Sequence, residues 1–348
     1  MGLLFRGASL VPEAIRVRGP PSGGPGRVPC GGQVLIAFFP RGDIMEKKGE
    51  GSEKTLMQML SDYLRAQYGE KVYKLSLSSG CSCPNRDGTV GVGGCAFCSA
   101  GGSGDFAARP GPIGEQMAEA RARIARKTDA KKFVAYFQSF TNTYGPVERL
   151  EPLYRETIHQ PEIVALSLGT RPDCLGPAVM EMLCRLNGIK PVWVELGLQT
   201  AHDATAARMN RGYDLETFTD AYRRLKAAGL TVIVHLIFGL PGESRVDMLD
   251  TVRFVASLEP PVDGVKLQML HVLKGTALVD RYEAEPFPLL SLEEYAELIA
   301  ESVRLLPEST VLHRLTGDAP GPLLLAPAWT RNKKRVLNTI HKAIGTSL

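Results

Sequence analysis

The chain has 348 residues, of which 44% are hydrophobic and 22% charged, a composition that excludes a disordered or fibrous chain and can fill one large core. Lys and Arg outnumber Asp and Glu by 41 to 37, a formal charge of +4, which permits a nucleic-acid partner without requiring one. No apolar run reaches the roughly 18 residues needed to span a bilayer, so no membrane partner is expected.

The first 44 residues are rich in Gly, Pro and Arg, as in G-P-P-S-G-G-P-G-R from Gly19 to Arg27, with almost no acid before Asp43. Such a segment cannot bury enough apolar surface to order itself, Val34 to Phe39 being a short exception. It reads either as a targeting peptide or as a non-native extension translated from upstream, with Met45 as the natural start; the second reading is preferred. Cys30 within it receives no role.

From Glu53 onward the pattern is regular. Met57, Leu60, Leu64 and Tyr68 share one helix face, and Gly69 offers a stop. Six apolar, β-branched runs follow: Val72 to Leu77, Phe133 to Phe137, Ile163 to Leu168, Val192 to Leu196, Thr231 to Ile237 and Gly264 to Met269. Helical patterns separate them, among them Pro177 to Asn187 closed by Gly188, Leu215 to Ala228 closed by Gly229, and a capped start at Ser244 with Asp247 three residues on. Alternation of this kind needs parallel strands joined by right-handed crossovers. The fold class expected is therefore α/β, a partial (βα)6 TIM-like barrel over residues 53–280, with a short C-terminal extension over 281–348 packing on it. After the linker Glu283 to Pro288 the extension begins a helix at Ser291, capped by Glu294, and later carries Trp329 beside Arg331, Lys333, Lys334 and Arg335. That basic cluster reads equally as a grip on RNA phosphates or as a solvated helix face.

The chemistry-bearing stretch is the glycine-rich loop from Ser79 to Phe106. Its Cys83, Cys95 and Cys98 stand as C-x11-C-x2-C. Glycines let backbone wrap an inorganic core and aim N–H groups at thiolates. Two readings stand at this point: a zinc site, which wants four protein ligands and would recruit a residue such as Cys81, or a [4Fe–4S] cluster held by three cysteines with one iron free. A free iron can chelate S-adenosylmethionine, which makes radical chemistry the leading reading. Seven cysteines, three of them clustered here, suggest a reducing, cytoplasmic compartment rather than a disulfide frame.

Several runs then appear in order: C-P-N-R-D-G (Cys83 to Gly88), G-G-C-A-F-C-S (Gly93 to Ser99), T-R-P-D-C-L (Thr170 to Leu175), E-L-G-L-Q-T (Glu195 to Thr200), N-R-G-Y (Asn210 to Tyr213), H-L-I-F-G-L-P-G-E (His235 to Glu243) and H-R-L-T-G-D-A (His313 to Ala319). In these the chain resembles a bacterial radical S-adenosylmethionine family that is similar to the radical domain of the Elongator catalytic subunit. The resemblance implies a radical SAM barrel and a [4Fe–4S] cluster on Cys83, Cys95 and Cys98. It also implies cleavage of S-adenosylmethionine to a 5′-deoxyadenosyl radical, a reductant such as flavodoxin or ferredoxin, and, through Elongator, modification of a wobble uridine in tRNA. A small metabolite or a protein side chain stays open as substrate, as does a non-catalytic metal- or cluster-containing RNA-binding module.

In a barrel the chemistry sits at the C-terminal ends of strands, and each expected strand ends in polar residues. Gln138 follows the second, Thr170 with Arg171 and Asp173 the third, Glu195 and Gln199 the fourth, His235 the fifth, and Gln268 with His271 the sixth. Gln199 suits the ribose hydroxyls of the cofactor and Arg211 its carboxylate. A resemblance to enzymes of the oxygen-independent coproporphyrinogen oxidase type implies the same two roles. Phe97 would shield the cluster or pack on adenine, and the Gly239-Leu240 turn would let backbone approach adenine. Gln138, Thr170 and His235 complete the expected cofactor contacts, although a histidine inside an apolar strand is more often a bonded core residue.

Overall fold

The computed structural model describes residues 58–102 and 104–345. The expectations for residues 1–44, for Met45 as a start and for Cys30 lie outside the described residues. The described residues form one compact unit.

In chain order the unit runs β1 (Gln58–Met59), α1 (Leu60–Tyr68), β2 (Val72–Leu77), α2 (Ile113–Ile124), β3 (Lys132–Phe137), α3 (Val147–Ile158) and β4 (Ile163–Thr170). It continues through α4 (Pro177–Asn187), β5 (Val192–Gln199), α5 (Asp203–Arg208), α6 (Leu215–Ala227), β6 (Thr231–Phe238), α7 (Arg245–Ala256) and β7 (Gly264–Met269). Last come β8 (Val272–Leu273), α8 (Ala277–Ala284), α9 (Leu292–Leu305), β9 (Val311–Arg314), β10 (Leu324–Ala326) and α10 (Lys333–Ile344). The helix ends follow their capping residues. Ser244 with Asp247 and Ser291 with Glu294 form reciprocal capping boxes, and Gly69 closes α1 with φ 73°.

One sheet holds eight strands in the order β1-β9-β7-β6-β5-β4-β3-β2, every neighbouring pair parallel. The six expected strands are β2 to β7. The sheet then crosses the expected boundary at residue 280, because β9 pairs with β7 and β1 pairs with β9. These two were hidden by their length: β9 is four residues with His313 and Arg314 inside it, and β1 is two residues. Strands β4 and β5 also outrun their apolar runs, since Gly169, Thr170 and Gly197 still pair although they are not apolar.

Side chains alternate across the curled sheet. Outward residues such as Leu77, Phe137, Leu168, Leu196, Val234 and Leu267 pack under the helices in the main core. Inward residues form layers. The lowest, Val72, Val134, Ala165, Trp193 and Ile233, is apolar and plugged by Leu64 of α1. Above it lies a polar layer with one residue from each of six strands: Lys74, Tyr136, Ser167, Glu195, His235 and Lys266. Helix α10 lays Val336, Ile340 and Ile344 into the main core, and Trp329 donates Nε1–H to the Leu290 carbonyl at 2.9 Å. The expected basic cluster is therefore largely partnered: Arg331 binds the Gly321 and Leu324 carbonyls, Lys333 binds Asp318 and Arg335 faces Glu293.

Candidate active site

The cysteine loop is held from below by a second loop that its sequence does not adjoin. Asn85 donates to the Asn210 carbonyl at 2.5 Å, Asn210 donates back to the Gly94 carbonyl at 2.8 Å, and the Ala96 amide binds the Met209 carbonyl at 2.9 Å. The C-P-N-R-D-G and N-R-G-Y runs thus clasp each other. Arg86 ties the far end of the loop through the Cys98 and Ser99 carbonyls. Gly212, at φ 79°, brings its backbone so close that a Cβ there would lie 2.9 Å from Asn85 Oδ1.

Cys83, Cys95 and Cys98, with Phe97, line a chamber of about 150 Å³. Its remaining walls include Gln138, Thr170, Arg171, Gln199, Tyr213 and His235 from the strand ends and the loops beyond them. The Cys98 thiol hydrogen-bonds to Cys95, and this contact, against the effect of burial and assisted by Arg171, holds the Cys95 thiol down at about 7. The same bond and burial push Cys98 up. Among the described residues no three His, Cys, Asp or Glu side chains converge on a single-ion position. Three soft donors around one open chamber, one of them readily ionised, are a donor set that fits an iron–sulfur cluster. Cys81 is not among them. It is buried in the main core with Arg149 Nη2 3.1 Å from its sulfur, so it does not face the chamber as a fourth ligand.

The expected cofactor contacts divide. Phe97, Gln138, Thr170, Gln199 and His235 line the chamber. Arg211, Gly239 and Leu240 do not. Arg211 is 1% exposed, and its guanidinium is consumed by the carbonyls of Leu198 and Thr200 at 2.7 Å, that of Tyr213 at 3.0 Å, and Asp203. It staples the end of β5, and the structure does not bring it to the chamber with the other expected contacts. Gly239 abuts Leu290, and Leu240 packs with Ala96 and Met209, so that turn is not among the chamber's lining either. Two other arginines line the chamber, Arg86 and Arg171, the latter fixed by Asp173 at 2.9 and 2.6 Å and donating Nη1 to the Arg211 carbonyl at 2.8 Å. The ring of Tyr213 lies near both guanidinium carbons, 4.8 Å from that of Arg171 and 4.5 Å from that of Arg211. Its hydroxyl is 3.0 Å from Gln199 Oε1.

Gln199 itself has φ 62°, and its side chain folds back over Gly197. A Cβ at 197 would lie 2.6 Å from Gln199 Nε2 and 3.1 Å from the Tyr213 hydroxyl. Gly197→Ala is therefore expected to lower stability by only about 1 to 3 kcal/mol, the scale of local overpacking, while displacing both side chains. Weaker S-adenosylmethionine binding by equilibrium dialysis, with the fold retained, is the expected result.

Below the chamber, Glu195 organises the polar layer. Its Oε1 accepts from Lys74 Nζ at 2.8 Å and Ser167 Oγ at 2.7 Å, and its Oε2 accepts from His235 Nε2 at 2.8 Å and from Lys266 Nζ. Burial alone would raise the Glu195 carboxyl, but Lys266 and Lys74 outweigh it and hold the group ionised. Burial, reinforced by Lys266, pushes His235 down to about 4; burial does the same to His271, and burial with Lys74 beside it holds His313 well below its usual range. Reading the chain as sequence singled out Glu195 and His235 but missed Lys74, Tyr136, Ser167 and Lys266. The available signal was a lysine at the centre of an apolar strand, as in V-Y-K-L and G-V-K-L.

The histidines carry a pH prediction. Each is neutral in the fold and titrates near 6.5 unfolded, so the unfolded chain takes up protons first as pH falls. Stability should be complete above pH 6.5 and fall towards pH 4 by roughly 1.4 kcal/mol per pH unit for each fully responding histidine. Urea unfolding across that window checks it; a flat profile would contradict the buried neutral state.

With this geometry in place, comparison with known proteins gives a direct assignment. The Radical SAM superfamily model matches residues 83–255, and the Radical_SAM C-terminal domain matches residues 262–345. The chain belongs to the radical SAM superfamily, whose enzymes use a [4Fe–4S] cluster and S-adenosylmethionine. It is 42% identical over 286 residues to protein YtqA of Bacillus subtilis, covering 82% of this chain and 88% of that one. Elongator complex protein 3 of Danio rerio is 28% identical over 189 residues, 53% of this chain and 33% of that protein. Among solved structures, archaeal Methanocaldococcus infernus Elp3 with an N-terminal deletion superposes with a TM-score of 0.59 at 18% identity, covering 78% of this chain and 63% of that one. That superposition supports the half-barrel fold.

Proposed function

We propose that this radical SAM enzyme modifies a tRNA base, the wobble uridine, from the chamber bounded by Cys83, Cys95 and Cys98. The observation that carries the chemistry is the placement of those three thiols across one chamber from Gln199, Arg171 and Tyr213. Cys83, Cys95 and Cys98 would hold the [4Fe–4S] cluster, which when bound would supply the electron for reductive cleavage of S-adenosylmethionine. The chain's own residues do the rest. Asn85 and Asn210 hold the loop that presents the thiols, and Phe97 shields it from water. Arg171, already aligned by Asp173, offers positive charge to a carboxylate, and Gln199 offers an amide to ribose hydroxyls. The ionised Glu195 keeps Lys74, His235 and Lys266 in place beneath the substrate.

The tRNA part of the reading is supported by the resemblance to the Elongator radical domain and by the similarity to Elongator complex protein 3 over 189 residues. The six described cysteines are all free, which suits a reducing, cytoplasmic setting with a flavodoxin or ferredoxin as electron donor. No helix among the described residues is long and apolar enough to cross a membrane. The test is to incubate the anaerobically reconstituted enzyme with S-adenosylmethionine, dithionite and unmodified tRNA transcripts, then digest the tRNA and weigh its nucleosides. A cofactor-dependent mass change at the wobble uridine supports the proposal. Production of 5′-deoxyadenosine at one rate with and without tRNA, with every nucleoside unchanged, overturns it.

A further inference from the structure

We propose that the open seam of the half-barrel, between edge strand β2 and the end of β9 that runs past the two-residue edge strand β1, is a nucleotide-phosphate site through which the substrate reaches the chamber. This rests on the nucleic-acid reading above and adds to it a location and a charge requirement.

The seam encloses a cavity of about 600 Å³, within the roughly 300 to 1,000 Å³ of small-molecule sites. It shares Tyr136 and Gln138 with the cysteine chamber, and a smaller middle chamber contains those two residues together with Lys266 and Arg314. The three spaces therefore adjoin one another along Tyr136 and Gln138, from the sheet's open side to the thiols.

Six cationic side chains line the seam: Lys74, Arg123, Lys127, Lys266, Arg314 and Lys333. Asp105 and Asp318 are the acidic residues among the lining, and with Glu119 and Glu195 behind it they leave the six basic groups two carboxylates short, although burial lowers the Lys266 ammonium well below its usual range. Their pairing is incomplete on both walls. Lys74 and Lys266 share the single carboxylate of Glu195, which lies behind the lining. Lys333 and Arg314 share the single carboxylate of Asp318, at 2.6 and 3.7 Å. Arg123 has Glu119, and Lys127 is exposed at the rim. Each shared carboxylate is one negative charge short of its cations, and the two deficits face one cavity. Two buried histidine nitrogens along these spaces, His313 Nδ1 in the seam and His271 Nε2 in the middle chamber, have no hydrogen-bond partner.

A phosphate supplies what is missing, since its charge and its several acceptor oxygens can serve cations on both walls at once. The seam also holds aromatic faces at Tyr73 and Tyr136, and Phe106, 47% exposed, stands among its lining residues. Cations interleaved with aromatic rings accept phosphate and base together, which identifies a nucleotide rather than a simple dicarboxylate.

The experiment measures binding to the cluster-loaded enzyme of three probes: an unmodified tRNA transcript, uridine 5′-monophosphate, and uridine. Each is tested with wild type, Arg314→Gln and Lys127→Gln, whose iron contents and melting temperatures are matched first. Uridine 5′-monophosphate should bind about ten-fold more tightly than uridine, and Arg314→Gln should remove most of that difference. Lys127→Gln, at the exposed rim, should give a smaller loss in the same direction and decides the matter if Arg314→Gln fails to fold. Competition between the monophosphate and tRNA places a strand nucleotide in the seam. Binding of the monophosphate without competition by tRNA keeps the phosphate site and removes the tRNA reading. Equal binding of uridine and its monophosphate, or variants that leave monophosphate binding unchanged, overturns the site; wobble-uridine modification could then still succeed on its own test.

Discussion

Cys98→Ala abolishes both cluster assembly and 5′-deoxyadenosine formation; that is the expected result of the first experiment. The cavity at the strand ends is lined by three thiols, and the Cys98 thiol hydrogen-bonds to Cys95 within it. Removing one leaves two donors for a cube that needs three from the protein. Cys81 cannot replace it, because it is buried behind the loop against Arg149. Iron and sulfide analysis after anaerobic reconstitution, with chromatography of the nucleoside product, checks both losses. Retention of iron and of product would remove Cys98 from the ligand set. Cys81→Ala is the control that should keep both.

Arg211→Ala has the second large effect, and on a different quantity. Replacing it strips a partner from the carbonyls of Thr200 and Tyr213 and one of two from that of Leu198, which keeps the Thr200 amide, and removes one cation beside the Tyr213 ring. Buried polar groups left unpaired cost about 1 to 3 kcal/mol each, so a loss of several kcal/mol is expected. Because a domain has only roughly 5 to 15 kcal/mol to lose, the variant should unfold at much lower urea or fail to accumulate. A variant of unchanged stability that bound S-adenosylmethionine weakly would restore the ligand role that its sequence position suggested.

Arg211 shows where reading the chain as sequence stops. Its motif was visible, but spacing cannot tell a guanidinium that faces a ligand from one consumed by the backbone carbonyls of Leu198 and Thr200 in the preceding strand and loop. Cys83, Cys95 and Cys98 were legible because a short loop fixes their proximity. The six central strands were legible too, since strands buried on both faces read as continuous apolar runs. What stayed hidden depended on long-range pairing. β9 joins the sheet only because the chain returns after two further helices, and the Lys74, Glu195 and Lys266 cluster exists only because the sheet curls. Asn85 and Asn210, 125 positions apart, explain the N-R-G-Y run by a contact that no local pattern encodes.

The central claim is that the three-thiol chamber is a radical SAM centre, and one measurement bears on it most directly. The protein is reconstituted anaerobically with iron and sulfide, reduced with dithionite in the presence of S-adenosylmethionine, and assayed for 5′-deoxyadenosine. The account predicts a cluster of about four irons per chain and the appearance of that nucleoside with methionine. A fully loaded cluster that left S-adenosylmethionine intact, or a single zinc ion in its place, would contradict it.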